Sequence, residues 1–360
     1  MNTTSFNSVI GNTTSAPDTA SKSIATWLYI LCGMVFFMVI LGGLTRLTHS
    51  GLSMVDWRPV TGWLPPMNPI EWQAVFDLYK ESPEFKKINY GMTVEEFKSI
   101  FWLEFMHRLW GRILGVVFLL PFLFFLLKGW ITRPLIPRLI LIFILGGLQG
   151  VLGWYMVKSG LIDNPDVSQY RLTAHFAAAV IIYGYMLWVA LSLMKAPRGA
   201  VSHAPSLLVK GTIFTAGWIF LTMLSGGFVA GLDAGLTYNT FPLMDGKLVP
   251  DGLWAISPWY FNVFENILTV QFDHRILAEM TLVLVIGLWL LARKSDLPIA
   301  PRKAFRALMI MVLVQVILGI ATLIFVVPVS LASLHQAGAL VLFTFALWAL
   351  HSLIGKSFAR

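Results

Sequence analysis

Glu104-Phe-Met-His107-Arg108 and, well downstream, Gln271-Phe-Asp-His274-Arg275 are two copies of one pattern, each near the start of a long apolar run. The copies do not stand alone. Gln149-Gly-Val-Leu-Gly153 is matched by Gln315-Val-Ile-Leu-Gly319, His175 by His335, and Gly42-Gly43 by Gly226-Gly227. Motifs that recur in the same order mark a duplicated unit, and duplication puts equivalent residues at equivalent places.

The runs that carry these motifs set the fold class. A helix that crosses a bilayer needs about 20 mostly apolar residues, and such segments recur at 25–45, 102–127, 136–157, 172–194, 211–230, 268–292, 305–327 and 331–354. With 57% hydrophobic residues, 12% charged residues and a mean hydropathy of +0.74, the composition is not that of a soluble domain. The expectation is an all-α membrane protein of eight transmembrane helices, arranged as two tandem four-helix bundles. An even number of spans per half gives both halves the same direction, so the pseudo-two-fold axis should run along the membrane normal. The first half is 25–194 and includes a long outer loop, 46–100; the second is 211–354. Residues 1–24, rich in Ser, Thr and Asn, read as a disordered cytoplasmic tail rather than a cleaved signal. In the long loop Trp57, Trp63 and Trp72 with Pro59, Pro65 and Pro66 fit either an ordered cap or an anchor at the headgroups.

A formal net charge of +8 raises nucleic acid as a partner, but the basic residues cluster where topology would put them. Lys128, Arg133 and Arg138, then Lys195, Arg198 and Lys210, then Arg293, Lys294, Arg302, Lys303 and Arg306 all fall in loops on one side. The positive-inside rule then places both termini in the cytoplasm. A bacterial inner membrane is favoured over the mitochondrial one, because no Arg-rich amphipathic presequence is visible. The single cysteine, Cys32, excludes a disulfide or a thiolate metal site within one chain.

His107, His175, His274 and His335 each lie about four to seven residues into a span running in the same direction, so at about 1.5 Å per residue they share one level to within a helical turn. Ionisable groups inside a span are costly and face the bundle interior. Two imidazoles from facing helices make a six-coordinate heme site, whereas zinc would want ligands that this set lacks. Arg108, Arg112 and Arg275 lie beside the histidines and have two readings. They bind heme propionates in bidentate fashion, or they pair with protein acids, as Arg108 would with Glu104 at i, i+4. Glu104 shares the face of His107, while its counterpart is the neutral Gln271. An acid at that one place makes the first half the reactive one, with Glu104 as acid or base; the competing role is to balance Arg108. Gly146 and Gly150, one turn apart, read as a site of close helix contact. His49, His203 and His351 are read as solvated or interfacial.

Taken together, Gly42-Gly43-Leu-Thr-Arg46-Leu-Thr-His49-Ser-Gly51-Leu-Ser, the two Glu/Gln-Phe-X-His-Arg motifs, and Gly231-Leu-Asp-Ala-Gly235 with Asn239-Thr-Phe-Pro-Leu-Met244 resemble the heme A synthase family. The likeness covers nearly the whole chain after residue 25, and the absence of loop cysteines matches the proteobacterial and mitochondrial branch. The resemblance implies an oxidoreductase that converts the C8 methyl of heme O to the formyl group of heme A, for cytochrome oxidase, by successive hydroxylations. It further implies heme b as cofactor, ligated by His274 and His335 with Arg275 nearby. The substrate heme would then lie between His107 and His175, beside Arg108 and Arg112, with Glu104 as the essential acid. Heme O synthase, the farnesyltransferase that makes the substrate, is the partner expected at family level; the oligomeric state is left open. The alternative is a di-heme b-type carrier that oxidises quinol, and behind it a heme transporter.

Overall fold

A computed structural model describes residues 18–162, 165–194 and 204–354; most of the N-terminal tail and His203 lie outside them. Among the described residues the chain is helical, with eight helices long and apolar enough to span a membrane. In chain order the elements are α1 (Asp18–Leu47), two short helices α2 (Pro69–Lys80) and α3 (Pro83–Lys87), then α4 (Val94–Leu127), α5 (Ile136–Gly160), α6 (Gln169–Leu193) and α7 (Ser206–Gly231). The remainder are α8 (Asn262–Glu265), α9 (Ile267–Lys294), α10 (Ile299–Ile324) and α11 (Val329–Ile354). This is a multi-pass membrane protein. The spans agree with the apolar runs except at their ends. α1 begins at Asp18 rather than 25, so residues 18–24 belong to the helix and not to the tail.

Burial separates an inner set of spans from an outer one. In their most apolar windows 50% of α1 and α6 is buried, against 6% of α5 and 11% of α10, so α1, α6, α7 and α11 form the centre while α5 and α10 present their apolar faces to lipid. α1 packs on α4, α6 and α11; α7 packs on α9, α6 and α11; α5 leans on α6 and α10 on α11. The centre is filled by Leu28, Leu31, Val180, Ala190, Ile219 and Leu340, each at most 1% exposed.

The long loop is not a loose strap. α2 is capped by Asn68, whose side chain accepts from the Glu71 amide, and α4 opens on a full capping box between Thr93 and Glu96, which fixes where the chain re-enters the span. Phe76, Tyr79 and Phe85 of the two short helices close with Phe97, Phe101 and Phe105 of α4 into a second, separate core. Of the loop's tryptophans, Trp72 packs against this core, while Trp57 and Trp63 stay exposed.

One expectation fails. Gly146 and Gly150 do not make a close helix contact, because a methyl added at either meets no atom within 4 Å. α5 touches α4 where Phe143 stacks on Phe118 at 5.5 Å, and the contact is carried by rings rather than by approaching backbones.

Candidate functional site

His107, His175, His274 and His335 lie on α4, α6, α9 and α11, the four spans that start at the capped end of the bundle. Each ring rests on a glycine of the span before it. A Cβ at Gly42 would stand 3.2 Å from His107 Nε2, at Gly153 3.0 Å from His175 Cε1, at Gly226 3.2 Å from His274 Cε1, and at Gly319 2.9 Å from His335 Cε1. Gly42, Gly153, Gly226 and Gly319 thus let an imidazole come close to helix backbone, while Gly43 and Gly227 make room for Gln336 and Thr173. The repeated glutamines reach the histidine backbone. Gln149 Nε2 donates to the carbonyl of His175 at 2.8 Å and Gln315 Nε2 to that of His335 at 2.9 Å.

The two pairs differ at Nδ1. His274 and His335 face each other with ring centroids 6.3 Å apart and planes at 89°. With metal–imidazole bonds of about 2 Å and about 1.1 Å from nitrogen to ring centre, two axial ligands on one metal place their centroids roughly 6 Å apart. The separation therefore fits a single iron between them. His274 Nδ1 lies 2.7 Å from Ser225 Oγ, and His335 Nδ1 lies 3.1 Å from the amide of Gln315. In the first half neither ring is held this way. His175 Nδ1 is buried without a partner, and among the described residues His107 makes no hydrogen bond. That asymmetry was not legible in the sequence, since a lone serine in an apolar run carries no signal.

Above His107 the acid is tightly held. Glu104, 3% exposed, accepts from Ser53 Oγ at 2.6 Å, from the Met54 amide at 2.8 Å and from Arg108 Nη2 at 2.5 Å. The structure thus makes the Glu104–Arg108 pair. Arg108 also donates to the Met54 and Asp56 carbonyls and lies over the Trp57 ring. Arg275 repeats the fork, donating to the Tyr238 and Thr240 carbonyls at 2.8 Å each. So 54–56 and 238–240 are matching pieces of the two loops. Only the neighbour changes: Gln271 donates to the Tyr238 carbonyl where Glu104 accepts from the loop. Arg112 holds the Pro59 and Arg58 carbonyls. Arg112 Nη1 and Arg275 Nε remain buried without partners, two donors that suit an anionic group such as a propionate.

Sequence reasoning missed the joint between α1 and α7. His49 and Asp233 occupy the same place after the two glycine pairs and share a left-handed backbone, φ 49° and 50°. Arg46 reaches both, with Nη2 2.8 Å from Asp233 Oδ2 and Nη1 3.4 Å from His49 Nδ1. His351 is not simply interfacial; it bonds Ser192 at 3.1 Å and packs edge-on to Trp188.

With this geometry in hand, comparison with known proteins is decisive. The family model of the cytochrome oxidase assembly protein COX15-CtaA matches residues 25–347. The chain belongs to this family. It is 54% identical over 334 residues to the heme A synthase of Nitrosospira multiformis, which covers 92% of this chain and 94% of that one. It is 52% identical over 337 residues to the heme A synthase of Paramagnetospirillum magneticum, 93% of this chain and 94% of the relative. The human relative, heme A synthase COX15, is 46% identical over 341 residues, 93% of this chain and 83% of its own. The COX15-CtaA family thus spans bacterial and animal members, and this chain covers most of the length of each relative.

Proposed function

We propose that this protein is a heme A synthase, an oxidoreductase that takes heme O as substrate and oxidises its C8 methyl to a formyl group through successive hydroxylations and loss of water. The proposal rests on family membership, and the observation in the site that carries it is the His274–His335 pair at one-iron spacing beside a second pair that bears an acid. His274 and His335 would hold heme b, which supplies a redox centre able to accept electrons drawn from the substrate. His107 and His175 would bind the iron of heme O, and the two halves, 25–194 and 211–354, would be two bundles of like construction with different cargo.

The chain's own residues divide the remaining work. Glu104, one turn from His107 and fixed by three donors, is placed to take up protons as the methyl carbon is oxidised, with the Ser53 hydroxyl as the next group outward. Arg108 and Arg275 tie the loops over the two sites, and the spare N–H groups of Arg112 and Arg275 would meet propionates. By the positive-inside rule the capped, histidine end would face the outer side of the membrane, taken as a bacterial inner membrane, with both termini in the cytoplasm. Heme O synthase is the partner that would deliver the substrate.

The test is chromatographic and mass analysis of hemes extracted from membranes that make heme O and contain either the wild type or Glu104→Ala. Heme A or its hydroxymethyl precursor in the first, with neither in the second while heme b persists, supports the assignment. Unaltered heme O in both sinks it and favours a di-heme carrier.

A further inference from the structure

A ligating histidine binds iron through a bare nitrogen, and the group hydrogen-bonded to the other nitrogen decides which one is bare. At His274 one serine hydroxyl bears on this choice. Ser225 Oγ lies 2.8 Å from the Thr222 carbonyl and 2.7 Å from His274 Nδ1. With the hydroxyl donating to the Thr222 carbonyl, the serine oxygen is the acceptor open to Nδ1–H. Nε2 is then left unprotonated, and the ring is held by the bond to Ser225 and by its close seat on Gly226.

The first half has the seat and lacks the anchor. Gly42-Gly43 corresponds to Gly226-Gly227, so the residue before the pair is Ser225 in one half and Leu41 in the other. Leu41 is 7% exposed and offers no acceptor. At Gly42 it is Nε2 of His107 that lies nearest, whereas at Gly226 it is Cε1 of His274, so the two rings are turned differently on their seats.

We propose that Ser225 is the positioning residue that makes the second-half heme a resident group, by fixing His274 in the ligating tautomer, and that Leu41 at the matching place leaves His107 free to release its heme. The inference rests on the reading of the four histidines as axial ligands. It explains how two ligand pairs at matching sequence positions serve a retained cofactor and an exchanging substrate. It also predicts electronic character: an imidazole whose N–H is hydrogen-bonded is the more basic ligand, which favours the ferric state.

Full-length detergent-solubilised protein loaded with hemin provides the test, with heme transfer to excess apomyoglobin, the ferric low-spin resonance and the reduction potential as readouts. In a His107→Ala/His175→Ala background, Ser225→Ala should release heme about 10- to 100-fold faster, with a higher potential and a shifted resonance, and Ser225→Thr should restore all three. In a His274→Ala/His335→Ala background, Leu41→Ser should slow release relative to both the unmutated residue and Leu41→Ala, which controls for lost bulk. Unchanged release and potential in Ser225→Ala would overturn the role of Ser225, and no slowing in Leu41→Ser would overturn that of Leu41. Should His274→Ala/His335→Ala together with His107→Ala/His175→Ala still retain heme like the wild type, the ligand reading itself fails, whatever Ser225 does.

Discussion

At Gly319 the missing side chain is what lets His335 approach the neighbouring helix, and a methyl there would fall 2.9 Å from the ring. Gly319→Ala must push the imidazole aside or part the helices, a cost of about 1–3 kcal/mol for overpacking. The expected result is a folded protein that has lost its second-half heme, measured as heme per protein after gel filtration. Gly217→Ala, where a methyl meets nothing within 4 Å, should keep full heme. Glu104→Gln tests a different feature. The amide keeps the shape and its oxygen can still accept from Ser53 and the Met54 amide, but its NH2 then faces the Arg108 guanidinium, another donor, and the carboxylate is gone. Heme A formation should fall by about 100-fold or more, in the range of lost acid–base catalysis, with heme b content unchanged; loss of heme b as well would assign Glu104 to folding alone. At this scale the sequence shows the four histidines, the acid and its neutral counterpart, because duplication displays them in register. It hides the glycine seats, the carbonyl forks of Arg108 and Arg275 and the role of Ser225, since each depends on where a second helix or loop passes.

Among the elements, the cap of α2 and α3 carries a buried titratable group outside the spans. Glu84, 3% exposed, accepts from Tyr79 Oη at 2.9 Å, and Asn89 donates to the same phenol oxygen at 2.7 Å. Burial pushes its carboxyl up from 4.5 to about 7, the Tyr79 hydrogen bond offsets part of this, and the negative charge of Glu104 adds to it. The sign follows from linkage: a native acid that holds its proton more tightly than the unfolded chain contributes stability below about pH 4.5 that is lost as pH rises through about 7, a cost of about 3 kcal/mol at most. Amides of α2 and α3 should therefore exchange faster at pH 8 than at pH 5.5 once intrinsic rates are removed, and Glu84→Gln should flatten that dependence. A cap equally protected at both pH values would contradict it. The sequence marks this region only by its Trp and Pro content. The helices themselves are short and rely on the Asn68 and Ser82 caps, so apolar periodicity could not find them. The existence of the long spans was legible because lipid demands an uninterrupted apolar run, but their polar first turns were not, so α1, α4 and α10 begin before the runs at 25, 102 and 305. Gly146 and Gly150 were misread because the same small residues that permit close packing also occur where no neighbour comes near.

Across the whole molecule, α1 and α6 pack on α7 and α11 through apolar side chains with a few polar stitches. Gln336 donates to the Val39 carbonyl at 3.0 Å, Tyr183 and Thr344 share a hydrogen bond at 2.7 Å, and Arg46 pairs with Asp233. Asp233 is 52% exposed, so Asp233→Asn should cost less than about 1 kcal/mol in thermal unfolding; a much larger loss would mean that the ion pair, and not the apolar centre, holds the halves together. The central claim is that one duplicated design serves two hemes, one kept and one converted. The most direct measurement is the identity and amount of heme extracted from two purified variants expressed in cells that make heme O, His107→Ala/His175→Ala and His274→Ala/His335→Ala. The account predicts heme b but neither heme O nor heme A in the first, and no heme b in the second. Loss of heme b from the first variant, with its retention in the second, would contradict it.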